Sequence, residues 1–326
     1  MCTAIFDNFG YPLFGRTLDL EYSNGEEVIL TPRRKRLDFL HAHPKEEHPA
    51  ILGIGIIKDG YPLYYDAVNE AGLAVAALNF PHSCVYKKAS GDPLELASFE
   101  VIPFLLSHCA STVEAKNILK NASITNEGFS KDLPPSPLHW MISDRHSSIV
   151  LEATENQVNI YDNPLGVLAN DPPFPTQFSL LGAFLSLDST PPQNTLCGGV
   201  DVPIISRGFG ASGLPGDFSS PSRFVRAVFV KNHTKVESTL STSVSRFFHL
   251  LSSVSVPFGT VKAENGREVV THYSSAARLD DLSYYFTTYY CGAIRKVSPT
   301  EVQRSDEHLF SLPLAEEELI SEIKLG

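Results

Sequence analysis

The first eighty residues set the strongest limit on what this chain can fold into, because they read as short apolar strands closed by tight turns. Residues 2–6 and 12–18 flank Asp7-Asn8-Phe9-Gly10, residues 51–57 and 61–66 flank Lys58-Asp59-Gly60, and residues 73–79 follow Asn69-Glu70-Ala71-Gly72. Apolar runs punctuated by Gly, Asp and Asn are the pattern of antiparallel hairpins. Helical spacing takes over at 94–109 through Leu94, Phe99, Ile102, Leu105 and Leu106, with Pro103 marking a kink or a boundary. Ser111-Thr112-Val113-Glu114 has capping-box form and predicts a second helix from that point. Strands are expected again at 138–143, 147–153, 156–161 and 165–169, helices at 177–187, 220–231 and 235–252, and final strands near 268–277, 283–290 and 292–298. Two antiparallel sheets packed together, with helices on their outer faces, satisfy that order and define an α+β class. The Pro-rich pieces 133–137 and 172–175 are short enough to be loops, so residues 1–326 are expected to form one domain.

Charge and cysteine usage narrow the function classes. A formal net charge of −11 argues against a nucleic-acid partner, which needs dense Lys and Arg. An anionic substrate stays open, since a local arginine pair can dominate a pocket on an acidic protein. No run of about 18 apolar residues suggests a membrane span, and no basic segment followed by an apolar core suggests a secretory signal. A cytoplasmic protein is therefore the default expectation. Cys2, Cys84, Cys109, Cys197 and Cys291 are scattered and odd in number, which fits a reducing compartment better than a disulfide framework or a zinc knuckle. The piece His41-Ala42-His43-Pro44-Lys45-Glu46-Glu47-His48 has no helical frame to align ligands, so no metal is assigned.

Cys2 stands directly behind Met1. Once Met1 is removed, one Cα carries a thiol and a free α-amine, and an amine with a reference pKa of about 7.7–8.0 can take the thiol's proton. Position alone does not separate this from a small residue that merely follows the initiator. Arg16 and Asp19, three apart on a strand, point to opposite faces unless the strand bends; they read equally as a surface ion pair or as supports for a thiolate and an amine. Asn79, at the end of an apolar strand, and Asn170, which closes another, serve either as turn caps or as amides aimed at an oxyanion. Arg223 and Arg226 share one helix face after the loop from Gly213 and are either solvated or directed into a site.

Taken in order, these residues resemble the choloylglycine hydrolase family, the bile salt hydrolases and penicillin V acylases of the N-terminal-nucleophile hydrolase superfamily. The likeness runs through Met1-Cys2-Thr3-Ala4, Phe14-Gly15-Arg16-Thr17-Leu18-Asp19, Glu21-Tyr22-Ser23, Asn69-Glu70-Ala71-Gly72-Leu73, Leu78-Asn79-Phe80-Pro81, Leu138-His139-Trp140, Gly166-Val167-Leu168-Ala169-Asn170, residues 213–226 and Tyr273-Ser274-Ser275. It implies a four-layer αββα sandwich, removal of Met1 alone, and no cofactor. Cys2 becomes nucleophile and base, Arg16 and Arg223 electrostatic supports, Asp19 the orienter of the amine, and Asn79 and Asn170 the polar groups of the oxyanion site. The implied substrate is a conjugated bile salt, with no membrane or nucleic-acid partner, and relatives often assemble as tetramers. Asn79 favours bile salts, because penicillin V acylases tend to have tyrosine there. Arg207, in Ser206-Arg207-Gly208, is expected to meet the substrate's terminal anion. Alternatives are penicillin V or N-acyl homoserine lactone hydrolysis, and a non-catalytic binding protein. Two departures are a short front hairpin and Asp171, where relatives often carry a smaller or neutral residue.

Overall fold

The computed structural model describes residues 1–155, 157–314, 317, 320 and 322–324. Residue 156, the first of the predicted strand 156–161, lies outside them. The first sheet runs in the order Val167–Leu168, Cys2–Asp7, Leu13–Leu20, Glu268–Arg278, Ser283–Thr288 and Cys291–Val297, with Val261–Lys262 also paired to Glu268–Arg278. The second runs Gln157–Asp162, Ser148–Thr154, Leu138–Ser143, Ala74–Asn79, Tyr61–Asn69, Ile51–Lys58, Glu27–Thr31 and Phe310–Pro313. Strand pairing within both sheets is antiparallel.

Two core clusters define the layers. One joins Ala4, Phe14 and Ala276 of the first sheet to Ile54, Val68, Leu78 and Met141 of the second. It also takes in Phe224 and Phe247 from helices Ser220–His233 and Leu240–Ser252, which cover the outer face of the first sheet. The other packs Val75, Trp140 and Leu151 of the second sheet against Ile102, Leu105 and Leu106 of helix Val101–His108. Helix, sheet, sheet and helix therefore stack in the expected αββα order. Alternating residues of each strand fill two different apolar layers, which explains why the runs in the sequence are so uniformly apolar.

Several boundaries moved. The expected helix 94–109 begins as a strand, Leu94–Ala97, paired in parallel with Ala122–Thr125, and is helical only over Val101–His108. Pro103 then falls in the first helical turn, where a missing N–H breaks no intrahelical bond. The expected helix 177–187 starts earlier, at Phe174–Leu180, and tightens into a 3₁₀ turn over Leu181–Phe184. The segment 235–252 is helical from Leu240, where the Thr239 side chain accepts the N–H of Thr242. Glu27–Thr31 and Phe310–Pro313, four or five residues each, were not expected; such short pieces become strands only because a neighbour supplies the ladder.

Gly15 lies where the hairpin of the first two strands meets the long strand Glu268–Arg278, opposite Ala276. A Cβ there would stand 1.8 Å from the main-chain oxygen of Ser275. Gly15→Ala is therefore expected to force the two strands apart and to destabilise by about 1–3 kcal/mol or more, read as a fall in the urea midpoint. An unchanged midpoint would mean that the strands separate without penalty.

Candidate active site

Strand alternation divides the surroundings of Cys2 into two halves. Cys2 pairs with Leu18, Thr3 with Thr17 and Ala4 with Arg16, so Cys2 and Arg16 share the face turned towards the second sheet. Thr3, Thr17 and Asp19 share the face turned towards the helices. On the inner face Arg16 is 1% exposed. Its Nη1 donates to the main-chain oxygens of Ala77 (2.5 Å) and Tyr65 (3.2 Å), and its Nε to that of Thr17 (3.1 Å). Its Nη2 is buried and has no hydrogen-bond partner among the described residues. Burial works against its charge, but the Cys2 thiol, Tyr273, Asp66 and Asp19 more than offset that and hold its proton above the ordinary arginine value.

The outer half is organised by Arg223, fully buried in the first turn of helix Ser220–His233. Its Nη1 donates to the main-chain oxygen of Cys2 at 2.6 Å and to Thr3 Oγ1, its Nη2 to Asn170 Oδ1 at 2.6 Å, and its Nε to the main-chain oxygen of Phe218 at 3.0 Å. Asn170 Oδ1 also accepts the N–H of Cys2 at 2.7 Å, while Asn170 Nδ2 donates to the main-chain oxygen of Asn79 at 2.7 Å. One amide thus ties the nitrogen of Cys2, a guanidinium and the end of a second-sheet strand together. Asp19 accepts from Thr271 Oγ1 at 2.6 Å and Thr17 Oγ1 at 3.2 Å, with Arg223 Nη1 3.9 Å away. Burial pushes the Arg223 proton affinity down, and Asp19 and Cys2 pull it back up. Met1 is attached here: its ammonium donates to the main-chain oxygen of Asp19 at 2.5 Å, and the Asp19 N–H donates to Met1 O at 2.9 Å. The nitrogen of Cys2 is accordingly a peptide nitrogen in this structure.

The six residues named from the sequence are thereby brought together, though Asn79 joins through its main-chain oxygen. Its half-buried side-chain amide forms no hydrogen bond among the described residues. Arg226 is turned away, holding the preceding loop through the main-chain oxygens of Pro215 and Asp217 and the end of helix Leu240–Ser252 through that of Ser253. Arg207 is exposed and makes no side-chain hydrogen bond or ion pair among the described residues. Asp171 Oδ2 accepts the N–H of His82 at 3.3 Å, while its buried Oδ1 has no hydrogen-bond partner among the described residues; the carboxylate thereby links the turns that carry Asn79 and Asn170.

Sequence reasoning missed the residues that hold Asn170 in place. Gln177, fully buried, accepts the N–H of Ala169 and donates to the main-chain oxygens of Asn170 and Pro172. Glu152 accepts the N–H of Phe174 at 2.9 Å and pairs with His139, whose ring stacks on Phe80 at 4.2 Å. A lone Gln in a helix of a Pro-rich segment carries no spacing signal. Glu152, a charge inside the run Ile149-Val150-Leu151-Glu152-Ala153, did carry one.

A family model described as linear amide C–N hydrolases, choloylglycine hydrolase family, matches residues 2–306. The chain belongs to the choloylglycine hydrolase family. Its members hydrolyse linear amide C–N bonds, and the chain is an enzyme of that class. It is 42% identical to the bile salt hydrolase/transferase of Lactiplantibacillus plantarum, over 97% of this chain and 98% of that one. It is 34% identical to the conjugated bile acid hydrolase of Lactobacillus gasseri, over 87% and 92% of the two chains. Among solved structures, a mutant conjugated bile acid hydrolase from Clostridium perfringens matches with a TM-score of 0.91 at 30% identity, over 99% of this chain and 100% of that one. The penicillin V acylase of Agrobacterium tumefaciens matches with a TM-score of 0.75 at 19% identity, over 96% and 91%, which bears on the fold alone.

Removing the Arg223 guanidinium leaves Asp19 without its nearest cation and two buried oxygens without donors. Arg223→Met is expected to destabilise the chain by about 3–5 kcal/mol, checked by urea denaturation. Arg223→Lys is expected to recover only part of that, because one ammonium cannot reach all four acceptors.

Proposed function

We propose that the chain hydrolyses the amide bond of glycine- or taurine-conjugated bile salts, with Cys2 as nucleophile after loss of Met1. The observation that carries the reading is the 2.7 Å bond from the Cys2 nitrogen to Asn170 Oδ1, itself fixed by Arg223. Once Met1 is gone, that nitrogen is an α-amine aimed by the same acceptor, on the same Cα as the thiol. The amine takes the thiol proton, and Sγ attacks the amide carbonyl. The C–N bond then breaks as the amine's proton passes to the departing glycine or taurine nitrogen. Water, deprotonated by the same amine, cleaves the thioester and returns the thiol. Arg16 favours the thiolate, Asp19 orients the amine, and Asn79 and Asn170 stabilise the oxyanion. The names borne by relatives up to 42% identical support bile salts over penicillin V.

In the same reading residues 1–326 act as one domain, Arg207 reaches the substrate's carboxylate or sulfonate, and the enzyme works in the cytoplasm as a homo-oligomer, by family likeness a tetramer. The five free cysteines support the reducing compartment. Exposed Phe258, Tyr289, Tyr290 and Ile294 support self-association.

Protein shown by intact mass to lack Met1 is expected to release glycine or taurine from conjugated bile salts, and protein that retains Met1 is not. Absence of release from every conjugate tested would remove the substrate assignment. Asn79→Ala is expected to lower kcat by about 10²–10³ with little change in KM, as for loss of one oxyanion donor.

A further inference from the structure

Asn79 and Asn170 reach the site on separate turns, and the two turns are restrained differently. Asn170 is held by Arg223, by the Cys2 nitrogen and by Gln177, which bonds main-chain atoms of Ala169 and Asn170. Asn79 is held through the main chain: its oxygen accepts from Asn170 Nδ2 at 2.7 Å, and the next N–H, that of Phe80, donates to the Pro137 oxygen at 2.8 Å. Phe80 is fully buried, and its ring lies flat on that of His139, with centroids 4.2 Å and planes 6° apart. His139 stands opposite Leu78 in the second sheet, on the face that Met141 turns towards the first sheet. On the neighbouring strand Ser148–Thr154, Glu152 shares that face with Val150. Its Oε1 lies 3.1 Å from His139 Nδ1 and accepts the N–H of Phe174 at 2.9 Å, at the start of the helix that follows Asn170. Neither side chain of the pair has any solvent exposure. His139 Nε2 has no hydrogen-bond partner among the described residues, so Glu152 is the ring's one polar anchor among them.

One carboxyl oxygen therefore joins the turn of Asn170 to the ring on which the turn of Asn79 rests. We propose that Glu152 and His139 form a positioning pair for the reaction: they fix where Asn79 stands relative to Asn170, and through it the geometry of the oxyanion site. The proposal rests on the reading of Asn79 as an oxyanion donor. Its physical basis is the stiffness of the link. An imidazole bonded through Nδ1 cannot turn about its side-chain bonds without losing that contact, so the plane beneath Phe80 is set. A leucine or methionine would fill much of the same space between the sheets, yet would leave the height of Phe80 to packing alone. Stability does not call for the pair, because buried polar pairs gain little over well-packed apolar residues. An oxyanion donor does call for it, since such a group has to be held within about 0.5 Å of its productive place. The Asn79 amide forms no hydrogen bond among the described residues, so its placement depends on the backbone that Phe80 anchors.

The test is steady-state release of glycine or taurine from a conjugated bile salt by protein shown to lack Met1. His139→Phe keeps a ring beneath Phe80 and loses the bond to Glu152, whereas His139→Asn keeps an N–H for Glu152 and loses the ring. Each is expected to lower kcat about tenfold with KM little changed. In an Asn79→Ala background the same substitutions are expected to cost nothing further, because the donor they place is gone. Alkylation of Cys2 by iodoacetamide, read by peptide mass spectrometry, is expected to keep its wild-type rate, since Arg223 and Gln177 hold Asn170 without the pair. Near-UV circular dichroism reports whether each variant is folded. Folded His139 variants with wild-type kcat overturn the proposal. So does a loss that multiplies in full with that of Asn79→Ala, or a fall in Cys2 alkylation that matches the fall in kcat. Where neither His139 variant folds, Phe80→Leu, which leaves the pair intact and removes the stack, is read by the same criteria. Wild-type protein lacking Met1 that releases nothing removes the function reading and the proposal with it, whereas folded variants at wild-type kcat remove the proposal alone.

Discussion

A guanidinium taken out of water must have its N–H groups aimed at oxygens, and Arg223 meets that requirement only when several separate segments converge. Its acceptors are the Phe218 carbonyl before its own helix, the Cys2 carbonyl and Thr3 hydroxyl on the first strand, and the Asn170 amide after strand Val167–Leu168. The helix cannot dock on the sheet without delivering the arginine, and the arginine cannot be buried unless strand and turn are already in register. Phe224, next along the helix and fully buried, supplies the apolar half of the same contact. Buried charges stabilise poorly against well-packed apolar side chains. Retaining Arg223 and Asp19 with no solvent exposure is therefore better explained by the role at Cys2 proposed for them than by stability.

The same reasoning separates what could be read in the sequence from what could not. Hairpins such as Cys2–Asp7 with Leu13–Leu20 are local: alternation and the Asp-Asn-Phe-Gly turn suffice, and their boundaries came within two residues. Strand Leu94–Ala97 was read as helix because its register is set by Ala122–Thr125, which carries too little pattern to announce itself. At the site, spacing placed Arg16 and Asp19 on opposite faces, and that is how they lie. Their common relation to Cys2 came from the family resemblance, since Arg223 is 221 residues away from the carbonyl it binds. Asp66 was visible as a charge within Tyr64-Tyr65-Asp66-Ala67-Val68, but its hydroxyl partners lie more than 200 residues further on. A buried charge can be flagged locally; its partners cannot.

The division of the first strand into two faces also explains why the proposed base is an amine rather than a histidine. Because side chains alternate, the Cys2 thiol lies on the Arg16 face, whereas the Arg223 set approaches from the other side and reaches only main-chain atoms and Thr3. A side-chain base on the helix face would have to cross the strand to touch the thiol. An α-amine has no such problem, since covalent geometry fixes its distance to Sγ whatever the packing does. The fold then has only to orient that nitrogen, and a single amide oxygen shared with a buried arginine is enough to do so. What remains for the inner face is to set the thiol's electrostatics, and the guanidinium that lies on that face is Arg16, held against the second sheet by the main-chain oxygens of Ala77 and Tyr65.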